Sequence, residues 1–315
     1  MTDFAVFPPF ALFDTWFRTM WFVPVYTLSA LLLPFLLWLV LRVGFRKISA
    51  VAEVTAKTVM QQPIFAILAI FGVMALLAFP FIPYNTLGED IKILKSQGMT
   101  LIRVLAILLA VWSAGTSISE EIEEKTALTL LSKPITRRQL ILGKFFGIIL
   151  GVSIFFVILS TVFVPTCAYK VVHEARENCE LEPESVACLA SMINVLPGLS
   201  LSFMGVVIMT SVAVALSTQL PIIPNMTISV SIYALGHLVP MVVQSGMGKF
   251  AIVSFVGNFL AAILPGLYHF NLEASIGAGE ILPPIYLLYA GIYCLLYTMV
   301  MMFAALILFE DRDLA

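Results

Sequence analysis

The sequence predicts an all-α, polytopic membrane helical bundle of about seven transmembrane helices, and three observations carry that prediction. Of its 315 residues, 61% are hydrophobic and only 11% are charged, against roughly 45–50% and about 25% in a soluble domain. Mean hydropathy is +1.04. Apolar runs long enough to cross a hydrocarbon layer about 30 Å thick recur along the chain. A water-soluble globule is excluded. The 17 basic and 19 acidic residues leave a net charge of −2, with none of the basic clustering that nucleic-acid binding requires.

Taken in order, the apolar runs place spans at 21–41, 63–84, 101–118, 141–165, 191–217, 221–243 and 284–309. No basic region precedes the first run, and it is longer than the apolar core of a signal peptide, so it reads as a retained span. The stretch 250–267 contains Gly257 and Asn258 and ends in Pro265 and Gly266, which favours a re-entrant segment over an eighth crossing.

Between 47 and 62, Ser49, Glu53, Lys57 and Gln61 recur every four positions, with Val51 and Val59 roughly opposite. That pattern fits a helix lying in the membrane interface or a cytoplasmic extension of the neighbouring spans. The acidic stretch 166–190 is expected to be an external loop. Two of its cysteines, Cys167, Cys179 and Cys188, could form a disulfide if it faces an oxidising space. Lysines and arginines in the short loops set sidedness. Arg42, Arg46, Lys47 and Lys57 follow the first span, and Lys125, Lys133, Arg137, Arg138 and Lys144 lie between the third and fourth. Both segments are therefore expected in the cytoplasm, with the N-terminus outside and the C-terminus cytoplasmic.

The segment 117–140 is too organised for a plain connector. Ser117 with Glu120, and Thr136 with Gln139, each carry the capping-box pattern, so two helices are expected to start here. Glu120, Glu121 and Glu124 suit the positive end of the first helix. Pro134 stops it, and the second begins at Arg137 and runs into the fourth span. This compact charged protrusion suits docking, or a solvated interfacial helix that anchors the two spans.

Within 120–144, an acidic stretch is followed by Thr126, the pair Leu130 and Leu131, a turn at Pro134, Ile135, Thr136 and Arg137, and then Gly143 and Lys144. This ordered string resembles the cytoplasmic signature of ABC-2 type transporter permeases, the membrane subunits of ATP-binding cassette exporters. The tail 309–314 resembles the end of that family's closing span. The resemblance implies a coupling helix seated in a groove of a separate ABC ATPase subunit. Glu120, Glu121, Glu124 and Lys125 would face that partner, with Thr126 in the same run. Leu130 and Leu131 would pack on the permease, and Pro134, Thr136, Arg137 and Arg138 would fix the turn.

The resemblance also implies that 47–62 is a connecting helix, that 47–315 is the family's transmembrane domain, and that 1–46 holds an additional span. Lys125 departs from the glycine many relatives carry before the threonine. A second permease subunit, identical or different, and the lipid bilayer of the plasma (inner) membrane are the other implied partners. ATP and Mg would be bound by the partner ATPase, with no cofactor in this chain. In keeping with that, Gly143-Lys144 has Arg138 where a phosphate loop needs its first glycine and Phe145 where it needs serine or threonine.

Gly143, Gly147 and Gly151 form a small-residue row that lets a helix approach closely, either within the chain or at a subunit seam. Arg103, Asn225, His237 and Asn258 lie in or beside apolar runs and are candidate pathway residues or structural hydrogen-bonders. No metal site is expected, because the three histidines are far apart and the methionines lack copper-cluster spacing. Two other readings are weighed. An ion-coupled secondary transporter could use the proline- and glycine-broken stretch 221–240, but no inverted second copy is visible. A membrane-embedded enzyme lacks a recognisable catalytic motif.

Overall fold

A computed structural model describes residues 18–82, 89–119, 136–178, 183–244, 251–280 and 282–310, and among these residues there is no strand. The helices are α1 (Phe22–Gly44), α2 (Arg46–Gln61), α3 (Pro63–Ala78), α4 (Asp90–Ala114), α5 (Arg137–Glu177), α6 (Ser185–Asn194), α7 (Leu196–Ser217), α8 (Ile222–Gln244), α9 (Ala251–Ile263), α10 (Glu273–Gly277) and α11 (Pro284–Glu310). Seven described stretches are long and apolar enough to cross a membrane: α1, α3 with its terminal turn, α4 with its terminal turn, α5, α6–α7, α8 and α11. The chain is thus an all-α polytopic bundle. Helices α4, α5 and α6–α7 are mostly buried, whereas α1, α3, α8 and α11 present apolar side chains such as Leu33, Ile70, Val230 and Phe303 outward.

Contacts between chain-distant residues define two ends. At the end flanking 120–135, here called proximal, Ser119 bonds to the α7–α8 junction and Gln219 Nε2 donates to Leu308 O at 2.6 Å. Arg138 also meets Glu310 there. At the opposite, distal end, Lys170 Nζ lies 3.2 Å from Asp90 Oδ2 and 3.4 Å from Glu177 Oε2, and reaches Pro80 O at 3.4 Å.

This distal cluster corrects two span boundaries. Helix α4 begins at Asp90 rather than near 101, and α5 runs to Glu177 rather than 165. Charged residues extend the helices because they neutralise one another inside the protein. Much of the expected external loop is therefore helix. Cys167 is buried in α5 and Cys188 in α6, both as free thiols, so the expected disulfide does not join these two, and Cys179 lies outside the described residues.

Helix α2 lies lengthwise along the first turns of α5, running in the same direction. A Cβ on Gly143 would come within 2.6 Å of Val51 Cβ, one on Gly147 within 2.7 Å of Ala52 O, and one on Gly151 within 2.8 Å of Val59 Cγ1. The glycine row is thus an intrachain groove for the buried stripe Ile48, Ser49, Ala52, Thr55, Ala56 and Val59. The stripe meets protein rather than the membrane interface, and Ser49, assigned above to the polar face, belongs to it. Exposed Glu53 and Lys57 pair at 3.3 Å on the other side.

The segment after α8 enters and leaves by one end. Ile222 packs near Gly115 at the proximal end, and α8 rises roughly 33 Å from there to reach the distal end. Helix α9 has 13 residues, about 20 Å, which is short of a crossing. Its last residue, Ile263, accepts a hydrogen bond from Tyr297 in the middle of α11. By Gly277 the chain is distal again, where a Cβ would lie 2.6 Å from Lys92 O, so only glycine permits the approach. Residues 251–280 form a re-entrant hairpin.

Candidate functional site

Two regions bear on function, and the first flanks 120–135. Glu120, Glu121, Glu124, Lys125, Thr126, Leu130, Leu131 and Pro134 lie outside the described residues. On the entry side, α4 does not end at Ser117. Its hydroxyl bonds back to Ser113 O, and 115–119 continue the helix as a π turn, so Ser117 does not cap a new helix. Such turns concentrate at functional sites. Ser119 Oγ is 2.8 Å from Leu220 O and 3.1 Å from Ser217 O, and Gln62 Nε2 donates to Thr116 Oγ1 at 2.8 Å.

On the exit side, the capping box at Thr136 is complete. Gln139 N donates to Thr136 Oγ1 at 3.3 Å, and Thr136 N donates to Gln139 Oε1 at 3.2 Å. Arg138 Nη2 forks onto Glu310, 3.2 and 3.3 Å from its two carboxylate oxygens, and Arg137 Nη1 donates to Glu310 O at 3.3 Å. Glu310 was not singled out in the sequence, although the family-like tail contains it. The two arginines expected to fix the turn thus also hold the last residue of α11.

The second region is a charge cluster at mid-depth. Arg103 lies thirteen residues into α4, roughly 20 Å from its distal start, and is 3% exposed. Its Nη1 is 3.1 Å from Glu273 Oε1 on α10, and Nη2 is 3.5 Å from Asn271 Oδ1. Glu273, 2% exposed, also accepts from Thr100 Oγ1 at 2.6 Å and Ser202 Oγ at 3.1 Å. The carboxylate is well satisfied. The guanidinium is not: Nε has no hydrogen-bond partner among the described residues, and Nη1 meets Glu273 as an ion contact outside hydrogen-bond geometry.

His237 lies on α8 and is partly buried. Its Nδ1 donates to Tyr233 O at 2.9 Å, while buried Nε2 has no partner among the described residues. Of the four residues singled out within apolar runs, Arg103 and His237 thus each hold a buried nitrogen with no partner among the described residues. Asn225 sits at the proximal end, buried, accepting from Ser229, and Asn258 is on an exposed face of α9.

Non-helical backbone at this depth needs protein partners, and α11 supplies them through tyrosines. Tyr297 donates to Ile263 O at 3.3 Å, Tyr293 accepts from Gly266 N at 2.9 Å, and Tyr286 donates to His269 O at 2.7 Å. Three hydroxyls on one helix thus bind the hairpin turn to α11.

Apolar crossings, a segment inserted at one end and a re-entrant hairpin at the other are the build of a membrane transport subunit. The family model of the ABC-2 family transporter proteins matches residues 45–314, and the chain belongs to that family. It is therefore a multi-pass membrane permease component of an ABC transporter, in a family that associates with an ABC ATPase. Helix α1 precedes the matched region. No curated protein gives a significant match.

Proposed function

We propose that this chain receives force from a separate ATPase subunit gripping residues 117–140 and relays it to the membrane helices, moving a substrate outward across the plasma (inner) membrane. One observation carries the reading: both flanks of 120–135 are bonded to other crossings. Ser119 ties the entry to the α7–α8 junction, and Arg137 with Arg138 ties the exit to the end of α11. A displacement of 120–135 would move α4 and α5 directly and would reach α8 and α11 through these bonds. Glu120, Glu121, Glu124 and Lys125 are the ATPase-facing groups in this reading, with the proximal end and C-terminus cytoplasmic. ATP and Mg belong to the partner. Two permeases, identical or different, assemble with two ATPases, and 1–46 contributes a span additional to the family domain.

The test is co-purification in mild detergent with identification of the companion by mass spectrometry. An ATPase is expected with the parent protein. It should be lost when Glu120, Glu121 and Glu124 are all changed to Lys, because docking relies on exposed charge whereas insertion relies on apolar length. Recovery of no ATPase with the parent, or equal recovery with the charge-reversed protein, would contradict the reading.

A further inference from the structure

The hairpin is held to α11 and to the α4–α7 pair by different chemistry. Toward α11 it is bound through the three tyrosine hydroxyls, neutral groups that satisfy its turn backbone. Toward α4 and α7 it packs through Ile276 on Gly198 and Gly277 on Lys92, and its one ionic tie among the described residues is Glu273, whose carboxylate meets Arg103, Thr100 and Ser202. Neutral hydrogen bonds survive a change of surroundings with little cost. A buried ion pair does not, because the penalty of desolvating both charges rivals their attraction, and the balance depends on how well the remaining hydrogen-bonding groups are satisfied. Here they are incompletely satisfied, since Arg103 keeps a buried nitrogen without a partner among the described residues. Water reaching this guanidinium would supply what the closed arrangement withholds.

We infer that the Arg103–Glu273 pair is a releasable latch: the hairpin travels with α11, and its separation from α4 and α7 opens the distal half of the bundle. The opposite end of α11 is Glu310, gripped by Arg137 and Arg138 beside 120–135. One helix therefore joins the exit of the proposed coupling segment to the latch. The direction of force rests on the relay reading, whereas the latch is a property of the permease alone.

The test measures how fast a water-soluble maleimide applied from the distal side labels Ile276→Cys in the full-length permease in membranes, without any ATPase. Ile276, on the hairpin itself, is 1% exposed and packs against Gly198 of α7. Leu94→Cys, fully buried one turn from the Gly98–Phe163 contact of α4 with α5, is the control. Arg103→Gln and Glu273→Gln should each speed labelling of Ile276→Cys by at least about tenfold, since each strands one buried group of the pair. Arg103→Lys, which keeps the charge but not the fork, should speed labelling less than Arg103→Gln does. Leu94→Cys should stay slow throughout. An unchanged rate at Ile276→Cys in the neutralised variants, or an equal rise at Leu94→Cys, would overturn the latch and leave the coupling proposal standing.

Discussion

Two buried cations in this permease do opposite jobs. Lys170 at the distal end and Arg103 at mid-depth are almost equally hidden, yet their surroundings differ. The ammonium of Lys170 meets Asp90, Glu177 and the Pro80 carbonyl, so each of its three protons has an acceptor. These partners belong to α4, to α5 itself and to the turn ending α3, none of them on the hairpin. Arg103 offers five protons to one carboxylate and a distant amide, and both partners lie on the hairpin. A compact charge among several acceptors fastens a joint. A fork-shaped charge half-satisfied by one movable partner makes a joint that can open.

That contrast can be broken or sharpened by substitution. The largest effect is expected at the fastening: Lys170→Met removes the buried ammonium that meets Asp90, Glu177 and the Pro80 carbonyl and should cost about 3 kcal/mol, read as a lower midpoint of thermal unfolding. A smaller cost, about 1–3 kcal/mol, is expected from Gly147→Val, because its side chain would press on the Ala52 carbonyl and wedge α2 off α5. Proteolytic cleavage between 44 and 62 in mild detergent should then accelerate. Within the latch, Ser202→Ala removes one of the donors to Glu273 and should destabilise by about 1 kcal/mol, visible as faster amide exchange confined to 271–280. The smallest change belongs to the exposed Glu53–Lys57 pair. Lys57→Ala should shift stability by no more than about 0.5 kcal/mol, and an effect matching that of Lys170→Met would undo the distinction between buried and exposed pairs.

The crossings were legible because apolar length is a strong signal, and the shortness of 250–267 with its Pro265-Gly266 end pointed to the re-entrant hairpin. Boundaries were less legible wherever charges pair inside the protein. Hydropathy treats Asp90, Lys95 and Lys170 as groups seeking water, and it has no means of seeing that α4 and α5 bring them together. Glu273 went unnoticed for the same reason, since its partner Arg103 is distant in sequence. The available signal was the first acid after the apolar stretch 250–267, Glu273, with Tyr286, Tyr293 and Tyr297 spaced along the next span to receive the turn. The glycine row is visible in the sequence, and its occupant is the amphipathic helix α2. Single-helix periodicity could not join the two, because it assigned Ser49 to the polar face.

The central claim is that 120–135 is held by a nucleotide-hydrolysing partner. A photo-crosslinking residue placed at Glu124 and activated in intact cells tests it most directly, with the same residue at Ser275 on the distal hairpin as control. An adduct with an ABC ATPase is expected from Glu124 and none from Ser275. Crosslinks from Glu124 to lipid alone, or to proteins outside the cytoplasm, would contradict it.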